Sequence, residues 1–168
     1  MYTETSIVMR GDPKRIFALG ADIEAWPRIL PHYRDVTLSE RTVLPDGLVH
    51  KVAVMRAWRQ FGPIKVPVVW KTIQDVDTAR ELLHFIHIGG FTKGMDVYWR
   101  LTPEGDAIRV TITHDFTLRW PLVGEFVAHW IVGQLFVDAI AQRTLRTIKR
   151  MVESGAVMRE ERTGVTGA

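Results

Sequence analysis

From Tyr33 to Phe116 the chain alternates between segments rich in Val, Ile, Trp and Thr and short turn signals. The turns are Pro45-Asp46-Gly47, Phe61-Gly62-Pro63, Asp75 to Thr78, Gly89-Gly90 and Pro103-Glu104-Gly105-Asp106. No other feature limits the fold as tightly. Strands joined by such short links pair antiparallel with their neighbours, because a parallel pair needs a crossover of about a dozen residues or more. The stretch therefore predicts a meander of six strands. Its last strand has the cleanest period of two. Ile108, Val110, Ile112, His114 and Phe116 share one face, and Arg109, Thr111, Thr113 and Asp115 share the other.

The flanks supply the remaining elements. Thr3 to Met9 reads as a first strand. Asp12 is a good helix N-cap and Pro13 fits the first helical position, so a short helix follows, with Ile16, Phe17 and Leu19 on its apolar face. Gly20 ends it, Asp22 caps a second short helix, and Pro27 and Pro31 keep that one short. After the meander, Val123, Val127, Trp130, Ile131, Val137, Ala141, Leu145, Ile148 and Val152 recur at helical spacing. They predict one long helix from about Leu122 to Ser154, with Gly155 as its C-cap. Residues 1–155 then form a single domain, and 156–168 a flexible tail. A curved antiparallel sheet and one long helix pack with the helix across the concave face. A bent sheet cannot touch a straight rod along its whole length, so a cavity is expected between them.

Composition removes several function classes. The 168 residues contain no cysteine, which excludes disulfides, thiolate metal sites and a cysteine nucleophile. The formal net charge is +3 with no basic run, so nucleic acid is not an expected partner. There is no signal-peptide pattern at the first residues, and a reducing cytoplasm is the default location. Leu118 to Val137 is greasy but is broken by Arg119, Pro121, Glu125, His129 and Gln134, so it does not read as a membrane span. It is either pocket wall and core, or a face for a homodimer or a transient membrane contact. Neither a dinucleotide loop, a P-loop, a GxSxG elbow nor an HExxH helix occurs, and neither a metal nor a cofactor is expected.

Particular residues carry a resemblance. Asp12-Pro13 with Ile16-Phe17, then Trp26-Pro27, Leu30-Pro31 and Val36, is similar to the N-terminal signature of the polyketide cyclase/dehydrase family. Trp99 to Gly105 followed by Val110-Thr111 resembles that family's penultimate hairpin, and Leu145, Ile148 and Lys149 suit its last helix. The resemblance spans roughly Thr3 to Ser154. It implies the α+β helix-grip fold of START-like (SRPBCC) proteins: a seven-stranded antiparallel curved sheet around a long C-terminal helix, with two short N-terminal helices. It also implies a cavity for a hydrophobic, aromatic or polyketide-like small molecule. The chain would then be a cyclase/aromatase or, alternatively, a carrier of lipid or quinone without chemistry.

Candidate site residues follow from face and chemistry. His114 lies on the apolar face of the last strand, where it is either a satisfied structural group or a cavity-facing proton shuttle. Arg56 shares parity with Val52, Val54 and Trp58; a guanidinium on a greasy face needs an anionic or carbonyl partner, from the protein or from a ligand. Arg56 and His114 are the candidate catalytic pair, stabilising a developing enolate. The candidate ligand-binding set is Trp58, Trp70, His87, Trp99, Trp130 and Gln134: rings that line a flat slot, and an amide in the helix stripe that needs a partner. His84 and His87 are three apart on one strand, so they face opposite ways and make a poor metal pair.

Overall fold

In a computed structural model, residues 2–61, 63–90, 92–116 and 138–164 are described. Strand β1 is Tyr2–Met9, β2 Tyr33–Val43, β3 Val49–Phe61, β4 Ile64–Asp77, β5 Leu82–Gly90, β6 Met95–Glu104 and β7 Ala107–Phe116. Helices α1 (Pro13–Ala21), a 3-10 turn (Ile23–Ala25) and α2 (Trp26–Ile29) follow β1, and α3 (Asp138–Gly164) comes last. The strands form one seven-stranded antiparallel sheet in the order β1-β7-β6-β5-β4-β3-β2. The meander is thus as expected, and β1 joins it at the far side of β7.

The local reasons hold residue by residue. Asp12 accepts from the Lys14 N–H at 3.0 Å and Pro13 sits in the first turn of α1. Asp22 accepts from the Ala25 N–H at 3.3 Å, which starts the second helical piece. Gly20 lies inside α1 and is glycine for a packing reason. A Cβ there would lie 2.8 Å from Leu83 Cδ1 and 3.1 Å from the Trp99 ring.

Met9, Ala53, Met55, Trp70, Leu83, Phe85, Val97, Trp99, Val110 and Ile112 are buried on the concave face. Ala141, Leu145, Ile148 and Val152 of α3 are buried against it. Lys149 Nζ donates to the Val8 carbonyl at 2.7 Å, and Glu153 accepts from the Arg10 N–H at 3.1 Å, which ties α3 to the end of β1. Several boundaries differ from expectation: α1 runs past Gly20 to Ala21, β4 continues through Asp75 to Asp77, and β5 takes in Gly89 and Gly90. Gly155 does not end the long helix, which runs on to Gly164. The greasy segment Leu118 to Val137, with Trp120, Trp130 and Gln134, lies outside the described residues.

A candidate hydrophobic-ligand site

The side chains that meet between sheet and α3 come from most elements of the domain. Trp26 is fixed by Pro27 in its short helix and by its indole N–H, which donates to the Leu19 carbonyl at 2.9 Å. It stacks on Trp99 at 5.8 Å between centroids and tilts against Tyr33 (4.9 Å) and Phe85 (5.9 Å). Trp70 meets Tyr33 edge-on at 6.0 Å and stacks on His87 at 5.9 Å. Met55, Met95, Val97, Ile112, Ile140 and Ala141 complete the apolar wall. These side chains leave a cavity of about 70 Å³. That is room for two or three waters at about 30 Å³ each.

Polar groups enter this wall at two places. His87, His114 and Thr92 form one. His87 Nδ1 lies 2.6 Å from Thr92 Oγ1, and His114 Nδ1 lies 3.4 Å from Thr3 Oγ1. Burial, helped by the charge of His114, lowers the His87 pKa to about 3, so its ring is a neutral donor and acceptor at neutral pH. The second place is Thr144, whose hydroxyl lies 2.9 Å from His32 Nε2. Burial, with the nearby Arg143 charge, lowers the His32 pKa to about 4. Burial also holds the Tyr33 phenol well above its usual range, against a weaker opposing effect from the Thr144 hydrogen bond. His87, His32 and Tyr33 therefore offer neutral hydrogen-bonding groups in an apolar box. Such a box suits an uncharged ligand oxygen better than a carboxylate.

Of the residues read from sequence, Trp70, His87, Trp99 and His114 come together on this cavity. Arg56 and Trp58 do not. At this end of the strand Met55 and Ala57 are buried while Arg56 is only half-buried and Trp58 is exposed, so Arg56 and Trp58 point to the convex face. There Arg56 pairs with Asp35, and Arg34 lies over the Trp58 ring, 5.6 Å from its centroid. The arginine's partner is thus a protein carboxylate. Both ends of that pair are close to half exposed, at 42% and 45%. Such pairs are worth about 0–1 kcal/mol. Arg56→Ala is expected to change stability by less than about 1 kcal/mol and to leave ligand affinity unchanged, as checked by urea unfolding and a binding titration. Trp130 and Gln134 fall outside the described residues. His84 faces away from His87, as its spacing requires. It bonds Asp96 at 2.9 Å and stacks flat on Tyr98 at 4.2 Å. Among the described residues no cluster of His, Asp and Glu could hold a metal ion.

Trp26, Tyr33, Phe85, Thr92 and Thr144 line the cavity but were not among the candidates. Phe85 had a usable signal, since it alternates with Leu83 and His87. Thr92 and Thr144 had none, because a lone threonine in a turn or helix carries no pattern.

The profile described as "Polyketide cyclase / dehydrase and lipid transport" matches residues 9–140. The chain belongs to the polyketide cyclase/dehydrase and lipid transport family. No curated protein matches it in sequence. Solved structures of this polyketide cyclase/dehydrase fold are similar over nearly the whole chain. The protein TTHA0849 from Thermus thermophilus has a TM-score of 0.74 at 17% identity, covering 92% of this chain and 99% of its own. The 18 kDa protein CC1736 from Caulobacter crescentus has a TM-score of 0.66 at 18% identity, covering 92% and 97%. The Zhui aromatase/cyclase from Streptomyces sp. R1128 has a TM-score of 0.59 at 19% identity, covering 98% and 95%. At these identities the likeness establishes the helix-grip fold. Among the described residues, no helix of this polyketide cyclase/dehydrase family member is long and apolar enough to cross a membrane.

Proposed function

We propose that the protein binds a hydrophobic, ring-bearing small molecule that carries a carbonyl or hydroxyl oxygen. The ring would lie among Trp70, Trp99 and Tyr33, and the oxygen would meet His87 and His114. One observation carries this reading: a neutral, buried imidazole, His87, forms part of the wall of a largely apolar cavity that holds five aromatic side chains. A guest larger than the present void of about 70 Å³ requires the side chains that line it to shift.

Catalysis is the second reading. A cyclase/aromatase role rests on His114, whose imidazole reaches the cavity and could move a proton on a bound poly-carbonyl chain. Arg56 is paired on the convex face, and among the described residues no Lys or Arg lines the cavity to stabilise an enolate. That favours binding or transport of a lipid- or quinone-like molecule over chemistry.

The test compares 2-naphthol with naphthalene, which differ by one hydroxyl, using tryptophan fluorescence. The hydroxylated probe should bind about ten-fold more tightly, the worth of roughly one buried hydrogen bond. His87→Phe should erase that preference while leaving naphthalene binding in place. Equal affinity for the two probes, or no saturable binding of either, would overturn the reading. Native mass spectrometry of freshly purified protein would then identify the natural guest.

A further inference from the structure

Strands β3 and β4 outrun their neighbours. The last β2–β3 pair is Tyr33 with Ala57, and the last β4–β5 pair is Trp70 with Gly90. Beyond those pairs β3 and β4 continue together as a two-stranded arm, from Trp58 opposite Pro67 to Phe61 opposite Ile64. The arm leaves the sheet where Met55 and Trp70 line the cavity.

Its surface is unusual in two respects. Large apolar side chains on both faces are exposed: Ile64 at 63%, Val66 at 39% and Val69 at 46%, with Trp58 at 36%. Ile64 and Val66 continue the parity of Val68 and Trp70, so the cavity's apolar face runs out along the arm into solvent. The charge is also one-sided. No Asp or Glu occurs between Asp46 and Asp75, whereas Arg56, Arg59, Lys65 and Lys71 fall on or beside the arm. Arg56 pairs with Asp35, whereas Lys65 and Lys71, both exposed, have no carboxylate partner among the described ion pairs.

We infer that this arm docks the protein onto an anionic lipid bilayer surface. Exposed aliphatic side chains enter the interfacial region, and basic side chains on the same short element meet lipid phosphates. A second copy of the chain fits less well. Two such arms repel through like charges, and Pro67 and Lys65 interrupt the β4 edge against strand pairing. The inference is independent of what fills the cavity. Docking would occur whether or not 2-naphthol binds, though it would place the cavity end of the fold at the bilayer.

Co-sedimentation with phosphatidylcholine vesicles, with and without one quarter phosphatidylglycerol, tests it. Partitioning should be at least about ten-fold stronger on the anionic vesicles and should fall in high salt. Lys65→Gln with Lys71→Gln should weaken it by roughly five-fold per lysine. Ile64→Ser with Val66→Ser should weaken it by about ten-fold or more. All four positions are exposed, so thermal melts should match the parent protein and separate docking from folding. Equal partitioning on both vesicle types, no partitioning, or both double variants binding like the parent would overturn the proposal. So would a hairpin-dependent dimer in sedimentation velocity without vesicle binding.

Discussion

Lowering the pH from 7 to 4.5 should cost the protein about 5 kcal/mol of stability, a large share of the roughly 5–15 kcal/mol that a domain commonly has. The cause is two buried imidazoles. His32 and His87 have folded pKa values of about 4 and about 3, well below the ordinary value near 6.5. Both are depressed chiefly by burial, which penalises the charged ring. Below pH 6.5 the unfolded chain takes up protons at these positions and the folded chain does not. Stability therefore rises with pH through this window and is fully present above 6.5. It falls by roughly 2–3 kcal/mol per histidine by pH 4.5. Carboxylates with lowered pKa values, such as Glu24 and Glu153, add their loss only at lower pH, as they protonate. Urea midpoints measured by tryptophan fluorescence at pH 7, 6, 5 and 4.5 read the effect. His32→Gln with His87→Gln should be less stable at pH 7 but nearly flat across the same range. An unchanged midpoint between pH 7 and 4.5 in the parent protein would sink the argument.

The same burial explains what the sequence made legible. Several patterns that depend on one strand or one helix cap read correctly. The alternation of β7 put His114 inside, the three-residue spacing split His84 from His87, and Asp12 and Asp22 marked helix starts. Trp70 and Trp99 sit on strands whose buried face is unambiguous once paired: Val68, Trp70 and Thr72 on one, Met95, Val97 and Trp99 on the other.

Arg56 shows where such reading stops. Strand β3 is apolar on both faces, so parity alone could not choose between them. The inner face also carries Lys51, which makes it look like the wrong one. In the fold Lys51 is satisfied inside, its Nζ donating to the Ala21 carbonyl at 3.1 Å and to Glu24 at 2.8 Å. That pairing needs the 3-10 turn to lie over β3, a contact between residues 27 positions apart in the chain. Once Lys51 is accounted for, Met55 and Ala57 face the core and Arg56 must face out. The Trp26–Tyr33–Phe85–Trp99 cluster was hidden for the same reason. Its members come from α2, β2, β5 and β6, and only the closed fold brings them together.

Trp26 is the residue whose loss should matter most to both stability and the cavity. It is 3% exposed, packs against three other rings, and closes one hydrogen bond through its indole N–H. Trp26→Ala should cost about 3–5 kcal/mol, the usual range for a buried tryptophan. In a domain of this length that lowers the melting temperature by roughly 10–15 °C. Trp26→Phe keeps a ring in place and loses mainly the bond to the Leu19 carbonyl, so it should cost about 1–2 kcal/mol. The alanine variant also joins the vacated indole space to the existing void of about 70 Å³. Part of its lost stability should therefore be recoverable by an apolar guest. Saturating naphthalene should raise the melting temperature of Trp26→Ala by several degrees more than that of the parent, as ligand bound only to the folded state must. A variant melting within about 2 °C of the parent would show that the ring cluster is not what holds α2 against the sheet. A destabilised variant indifferent to naphthalene would show that the space collapses instead of joining the cavity.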